Sequence, residues 1–300
     1  MTPRRLSPHG VAPYLFLAPF LLLFILFVAV PFAGSLWLAF RHGDAATGLA
    51  GLDYVGWHNF RFAGSDPLFW HSLGNTLMLT VMAGVPQHLL ALGLSWAIYT
   101  RLGRASGWAG FVCMLPYVTS AIAIALVFMT LLSTEYGLIN RWLALVGLGP
   151  VDWLHDELWV KVSIAALVCW RYAGWNTVLY LTALQALPAS LLDAAAIDGA
   201  TGWRRYWYVV LPQLRPMIVL ASTLTLIGGC QLFDESFILA PDGGTSQSAL
   251  TTSAYLYRLA FVNGDLGGAT AMAWLLLVST VTLIVAYQLL WGRGLWRRMA

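Results

Sequence analysis

Arg171, Asp234 and Glu235 are charged residues that stand inside long apolar stretches of this 300-residue sequence. A charge in the middle of an apolar helix costs about 2.5–3.5 kcal/mol on insertion scales, so such groups face a cavity or a partner. Tyr117, Thr119, Tyr172, Trp175, Asn176 and Gln231 occupy the same stretches. Aromatic faces stack on sugar rings, and planar amides and hydroxyls hydrogen-bond to them, so this set offers both modes of sugar binding. Two readings are open. Tyr117, Arg171, Tyr172, Gln231, Asp234 and Glu235 could line the pathway of a polar solute. Alternatively, Arg171 could form a structural ion pair with Asp234 or Glu235, the aromatics being packing or interface anchors. His88 and Gln87, next to Pro86, read as buried hydrogen-bonding residues.

Other chemistry finds little support. The histidines, His9, His42, His58, His71, His88 and His155, are scattered without the paired spacing of a metal site. Cys113, Cys169 and Cys230 lie in apolar runs and give no disulfide framework, so they read as packing residues. Neither a catalytic set nor a cofactor or metal site is expected. A phosphate-cradling loop needs Gly-Lys followed by Ser or Thr. The only lysine, Lys161, follows Val160. ATP and Mg²⁺, if they drive this chain, must therefore sit on another polypeptide.

The elements that hold these residues follow from composition. Hydrophobic residues make up 59% of the chain and charged residues 10%, against about 25% charged in a soluble domain; the mean hydropathy is +0.73. An exterior so poor in charge must face lipid. Unpaired backbone groups in hydrocarbon cost several kcal/mol, so only helices or closed barrels can span it. The apolar runs are long and continuous rather than alternating over about ten residues, which excludes a barrel. The expected class is an all-α polytopic membrane protein, its 300 residues forming one transmembrane domain.

Six segments reach the roughly 20 residues needed to cross the hydrocarbon. They are Tyr14–Phe40, about His71–Thr100, Trp108–Ser133, about Val160–Leu187, Leu214–Leu239 and Gly268–Trp291. The first follows Arg4 and Arg5 but is too long and too bulky at its end for a cleaved signal peptide. Positive charge sets orientation. With the N-terminus inside, Arg4, Arg5, Arg101, Arg104, Arg204, Arg205, Arg215, Arg293, Arg297 and Arg298 are cytoplasmic. Asp44, Asp53, Asp66, Glu135, Asp152, Asp156, Glu157, Asp242 and Asp265 then fall outside, and both termini are inside.

One inside loop, 188–212, differs from the rest. It lies within LPASLLDAAAIDGATGWRRYWYVVLPQLRP, Leu187 to Pro216. Pro188 suits a helix start, helix formers run from Ala189 to Ile197, and Gly199 can take the left-handed conformation that ends a helix. Thr201 suits an N-cap for a second short helix that Pro212 closes. The expectation is two short helices bent at Asp198-Gly199. By physics alone this is either an amphipathic interfacial loop or a protein-docking element.

The segment resembles the EAA loop of ABC-importer permeases: Glu-Ala-Ala, three residues, Gly, nine residues, Ile, one residue, Leu-Pro. Asp193, Ala194 and Ala195 stand for Glu-Ala-Ala, followed by Gly199, Val209, Leu211 and Pro212 at the family spacing, with Asp for Glu and Val for Ile as departures. The resemblance to the carbohydrate branch, and to its maltose-type larger permease, extends through YLFLAPFLLLFILFVAVPFAGSLWLAF, GLDYVGWHNF, LPYVTSAIAIALVF, GLINRWLALVG and LFDESFILAPDGG. It implies a coupling loop that docks on an ATPase dimer, a second permease subunit, an extracytoplasmic solute-binding protein and a sugar substrate in the bacterial cytoplasmic membrane. By position it also implies sugar contacts for Tyr117, Tyr172 and Glu235. A glycerol phosphate or polyol is the alternative substrate, and an ion-coupled secondary transporter using Asp234 and Glu235 the alternative class.

Overall fold

The computed structural model describes residues 8–43 and 51–291. Arg4, Arg5, Asp44, Arg293, Arg297 and Arg298, used above for orientation, lie outside the described residues. The chain divides into two compact units, one formed by residues up to Asp66 with Leu256–Leu275, the other by Pro67–Tyr255 with the residues from Leu276 onward.

The first unit begins with α1 (Pro8–Phe24) and α2 (Val30–Ala39), joined by a π-helical turn over Ile25–Ala29. Two short strands, β1 (Arg41–His42) and β2 (Asp53–Tyr54), pair antiparallel, with Arg41 opposite Tyr54. Next comes α3 (His58–Ser65). Its buried Asn59 donates to the carbonyls of Ala39 (3.0 Å) and Arg41 (2.7 Å), satisfying backbone acceptors where α2 ends.

The second unit holds α4 (Pro67–Leu102), α5 (Ser106–Val118), α6 (Ala121–Leu131), α7 (Leu138–Leu145) and α8 (Trp159–Gln185). It continues with α9 (Ala189–Ile197), α10 (Gly202–Arg205), α11 (Leu211–Cys230) and α12 (Asp234–Leu239), while α13 (Thr252–Tyr257) begins in it and ends in residues of the first unit. The last helix, α14 (Leu266–Trp291), supplies residues to both units. Within the second unit α8 packs most extensively on α4 and next on α5. Leu79, Ile124, Ile164, Leu167, Leu232 and Leu239 form one core that ties α4, α6, α8 and α12 together.

Among the described residues, four continuous helices are long and apolar enough to cross a membrane: Tyr14–Ala39, Pro67–Leu102, Gly202–Cys230 and Leu266–Trp291. Two bent pairs, α5 with α6 (84°) and α8 with α9 (77°), meet that standard only as pairs. Six spans are thus reached only by counting each bent pair as one. The third expected span, 108–133, is broken where Thr119 and Ser120 are extended and the Ser120 hydroxyl accepts from Ala123 N–H, capping α6. The fifth, 214–239, also differs. Its helix starts back at Gly202, ends at Cys230 after Gly228-Gly229, and resumes as the separate α12.

The expected second short helix closed by Pro212 is not formed. A π-helical turn over Tyr206–Val210 carries α10 into α11, with Pro212 in the first turn of α11. Proline lacks an N–H and crowds the carbonyl four residues back, and a shift to wider hydrogen-bonding there accommodates both defects. Thr201 does sit at the N-cap of α10, but its side chain makes no capping bond.

Between α6 and α8, residues 132–158 fold around a single carboxamide. Asn140 donates to the Val151 carbonyl (2.9 Å) and accepts from Val151 N–H (3.1 Å) and Trp153 Nε1 (2.9 Å). Asn140→Ala leaves those groups unpaired, and an orphaned buried polar group costs about 1–3 kcal/mol. The expected result is faster proteolysis between Thr134 and Trp159 in the nanodisc-embedded chain; cleavage at the wild-type rate would contradict this account.

Candidate substrate cavity and coupling helix

The polar residues singled out in the apolar stretches converge. Tyr117 of α5, Arg171 and Tyr172 of α8, Gln231 beyond the end of α11, and Asp234 and Glu235 of α12 all line one cavity of about 430 Å³. That volume lies within the range of small-molecule sites. Tyr117 stacks on Trp175 (centroids 4.8 Å apart, 29° between planes) and meets Tyr172 edge-on at 5.6 Å, giving the cavity an aromatic wall. The buried amides of Asn176 and Gln87 line the same cavity. Thr119 is not on the cavity; its hydroxyl donates back to the Leu115 carbonyl.

The ion pair has one acidic partner. Arg171 Nη1 donates to Glu235 Oε1 at 2.7 Å, with 14% of the arginine and 4% of the glutamate side chain exposed. The guanidinium also lies 5.3 Å from the centre of the Tyr172 ring. Asp234, its neighbour, is exposed and makes no hydrogen bond or ion pair among the described residues. The pair links α8 to α12 directly across the cavity wall. The structural reading holds for Arg171 and Glu235, which also line the cavity; Asp234 lines it without joining the pair.

Other bonds hold the helices at the right spacing. Gln87 Nε2 donates to Thr225 Oγ1 at 3.4 Å, joining α4 to α11. His88 Nδ1 and Tyr180 Oη lie 2.7 Å apart, joining α4 to α8. The sequence reading placed Gln87 and His88 as buried hydrogen-bonding residues; Gln87 is that and a cavity residue besides. Thr80, Gly84, Thr225 and Gly229 also line the cavity and were missed. Their signal was steric rather than polar. A Cβ at Gly84 would approach Thr225 Cγ2 to 3.1 Å, and a Cβ at Gly229 would overlap Thr80, so these glycines bring α4 and α11 together.

At the C-terminal end of α8 the chain turns through 77° into α9. Pro188 is the N-cap residue with extended backbone. Gly199 has φ of +76°, and its N–H and that of Ala200 donate to Ala196 and Ala195 carbonyls (3.1 and 2.8 Å). This pattern of paired bonds at a left-handed glycine is the expected helix stop. Asp193, Ala194 and Gly199 are exposed and Ala195 is buried. Leu211 is half-buried and Pro212 exposed at the start of α11. Ile197 (87% exposed), Trp203 and Tyr208 leave a substantial apolar surface open around the turn. Beneath it Trp96, Leu184, Tyr206, Val210 and Leu214 form a core that anchors the turn to α4 and α8.

Residues 89–293, which include the α9 turn and all the cavity residues except those on the first part of α4, match the family described as the binding-protein-dependent transport system inner membrane component. The chain belongs to this family. As a permease component it is a multi-pass inner membrane protein. It is 34% identical over 256 residues to the lactose transport system permease protein LacF of Rhizobium radiobacter, covering 84% of each chain. It is 28% identical over 275 residues to the trehalose/maltose transport system permease protein MalF of Thermococcus litoralis, covering 91% of each. A third relative, the sn-glycerol-3-phosphate transport system permease protein UgpA of Agrobacterium fabrum, is 30% identical over 284 residues, 94% of each chain. The fold matches that of a chain in the crystal structure of a bacterial ABC transporter importing the acidic polysaccharide alginate. The TM-score is 0.80 and the identity 23%, over 95% of this chain and 96% of that one.

One close approach positions the permease's aromatic wall. A Cβ on Gly174 of α8 would overlap the Cys113 carbonyl oxygen of α5. Gly174→Ala must push apart the two helices that carry Tyr117 and Trp175, and overpacking of this kind costs about 1–3 kcal/mol. The expected outcome is a lowered melting temperature in nanodiscs. Gly93→Ala, with nothing within 4 Å of the new methyl, serves as the neutral comparison; equal melting of the two variants would refute the steric account.

Proposed function

We propose that this permease is one transmembrane subunit of an ATP-driven importer for a sugar or oligosaccharide. In this reading the cavity of Tyr117, Arg171, Tyr172, Gln231, Asp234 and Glu235 is where the sugar passes. The turn around α9, with Asp193, Ala194, Ala195, Gly199, Leu211 and Pro212, docks on a separate ATPase subunit. The partners are a second permease, a cytoplasmic ATPase dimer that binds ATP and Mg²⁺, and an extracytoplasmic solute-binding protein. Both termini face the cytoplasm, on the side of α9. The relatives named for lactose and for trehalose/maltose transport support the substrate class.

The observation that carries this reading is the design of α8. The helix bears Arg171, Tyr172, Trp175 and Asn176 near its middle and ends in the α9 turn. From Arg171 to Gln185 is about 20 Å at 1.5 Å per residue. A force on α9 therefore reaches the cavity through a single hydrogen-bonded rod, without an intervening joint except the 77° turn itself. Closure of the ATPases would draw α9 toward its counterpart in the second permease and tilt α8, changing which side of the membrane the cavity faces.

Co-purification from detergent tests the docking. A Cβ at Gly199 meets nothing within 4 Å, so Gly199→Asp acts on the outer surface and on the left-handed helix stop rather than on packing. The expected outcome is that the wild-type chain retains a second permease and an ATPase, while Gly199→Asp loses the ATPase selectively. A wild-type chain that purifies alone and moves solute in vesicles without ATP would overturn the proposal.

A further inference from the structure

We propose that the cavity selects its sugar by charge, accepting neutral and cationic glycans and rejecting anionic ones, with Asp234 as the deciding residue. This rests on the sugar-importer reading above and deepens it. The charged residues lining the cavity are one guanidinium, Arg171, and two carboxylates, Asp234 and Glu235, a net single negative charge. No lysine or histidine side chain lines it.

The charge of Arg171 is already met within the protein. It is committed to Glu235 at 2.7 Å, largely buried and set against the Tyr172 ring. A carboxylate or phosphate ester that claimed this positive charge would have to draw it away from Glu235, which is 3% exposed. Glu235 would then be a buried charge without its partner, the costly half of a broken ion pair. Asp234, by contrast, is exposed and unpaired among the described residues, so the uncompensated charge in the cavity is its own.

The backbone adds in the same direction. Gly228 and Gly229, at the C-terminal end of the twenty-residue α11, line the cavity and present the negative end of that helix. The six-residue α12 opposes it with a much shorter dipole. A unit charge a few ångströms away in a partly desolvated site shifts affinity for another unit charge by at least about tenfold.

Three methyl glucosides that differ only at C6 separate charge from shape: the parent alcohol, the 6-carboxylate and the 6-ammonium compound. Their binding to the full chain in lipid nanodiscs can be titrated by saturation-transfer NMR. The expected order is ammonium, then alcohol, then carboxylate, with the carboxylate at least about tenfold weaker than the alcohol. In Asp234→Asn the spread across the three should compress to within about threefold, whatever the absolute affinities. Equal binding of all three by the wild type, or tighter binding of the carboxylate, overturns the charge rule and leaves the sugar cavity intact. A spread that Asp234→Asn does not change removes Asp234 from the decisive role. Binding of none of the three would instead sink the sugar-cavity reading, and the charge rule with it.

Discussion

A buried arginine in an apolar helix is tolerable only when its charge is met, and the second unit of this permease is arranged around meeting it. Arg171 cannot be neutralised by deprotonation as a lysine can, so a carboxylate must be brought to it. Glu235 does this from a different helix, 64 residues further along the chain. The bond is short and shielded, and in such surroundings the loss of either partner is far costlier than the pair's net contribution to stability. The same bond fixes α12 against α8 and thereby defines one wall of the cavity.

The breaks in the helices serve that arrangement. A continuous fifth span would carry residues 231–235 straight onward along its own axis. Instead α11 stops at Cys230, and the chain re-enters as α12 with Glu235 turned to Arg171 and Gln231 left exposed in the gap. Broken helices leave backbone groups that lipid cannot satisfy, so they occur where protein or a water-filled cavity receives them. The bend between α5 and α6 follows the same logic: Thr119 N–H returns to the Leu115 carbonyl and Ser120 caps α6. In this fold the departures from regular helix and the polar cavity are parts of one solution.

The α9 turn is built on a different principle. Its stop at Gly199 is closed by backbone bonds, and its exposed surface sets the apolar Ile197 and Trp203 beside Asp193 and Asp198. That surface is open outward, which is what the proposed docking requires. The π-helical turn at Tyr206–Val210 then lets the chain continue into α11 past Pro212 and Pro216 without ending the helix.

The sequence by itself determined the class and the approximate spans, and it singled out the residues of both candidate sites. Hydrophobic length is a local quantity, ionisable groups in apolar runs are conspicuous, and the loop around α9 stands out by the spacing of its residues within one short segment. Gly199 was legible for the same reason, because a left-handed helix stop depends on one residue's missing Cβ. Only the tertiary structure decided that Arg171 pairs with Glu235 and not with Asp234. Adjacent residues look equivalent in sequence, and the choice between them depends on how α12 is turned. It also decided that Pro212 begins a long helix rather than closing a short one, because hydrogen bonds in the turn before it shifted to receive the ring. The roles of Gly84, Gly174 and Gly229 lay equally beyond the sequence. Each matters through the backbone or side chain of another helix pressed against it, and that neighbour is chosen by packing.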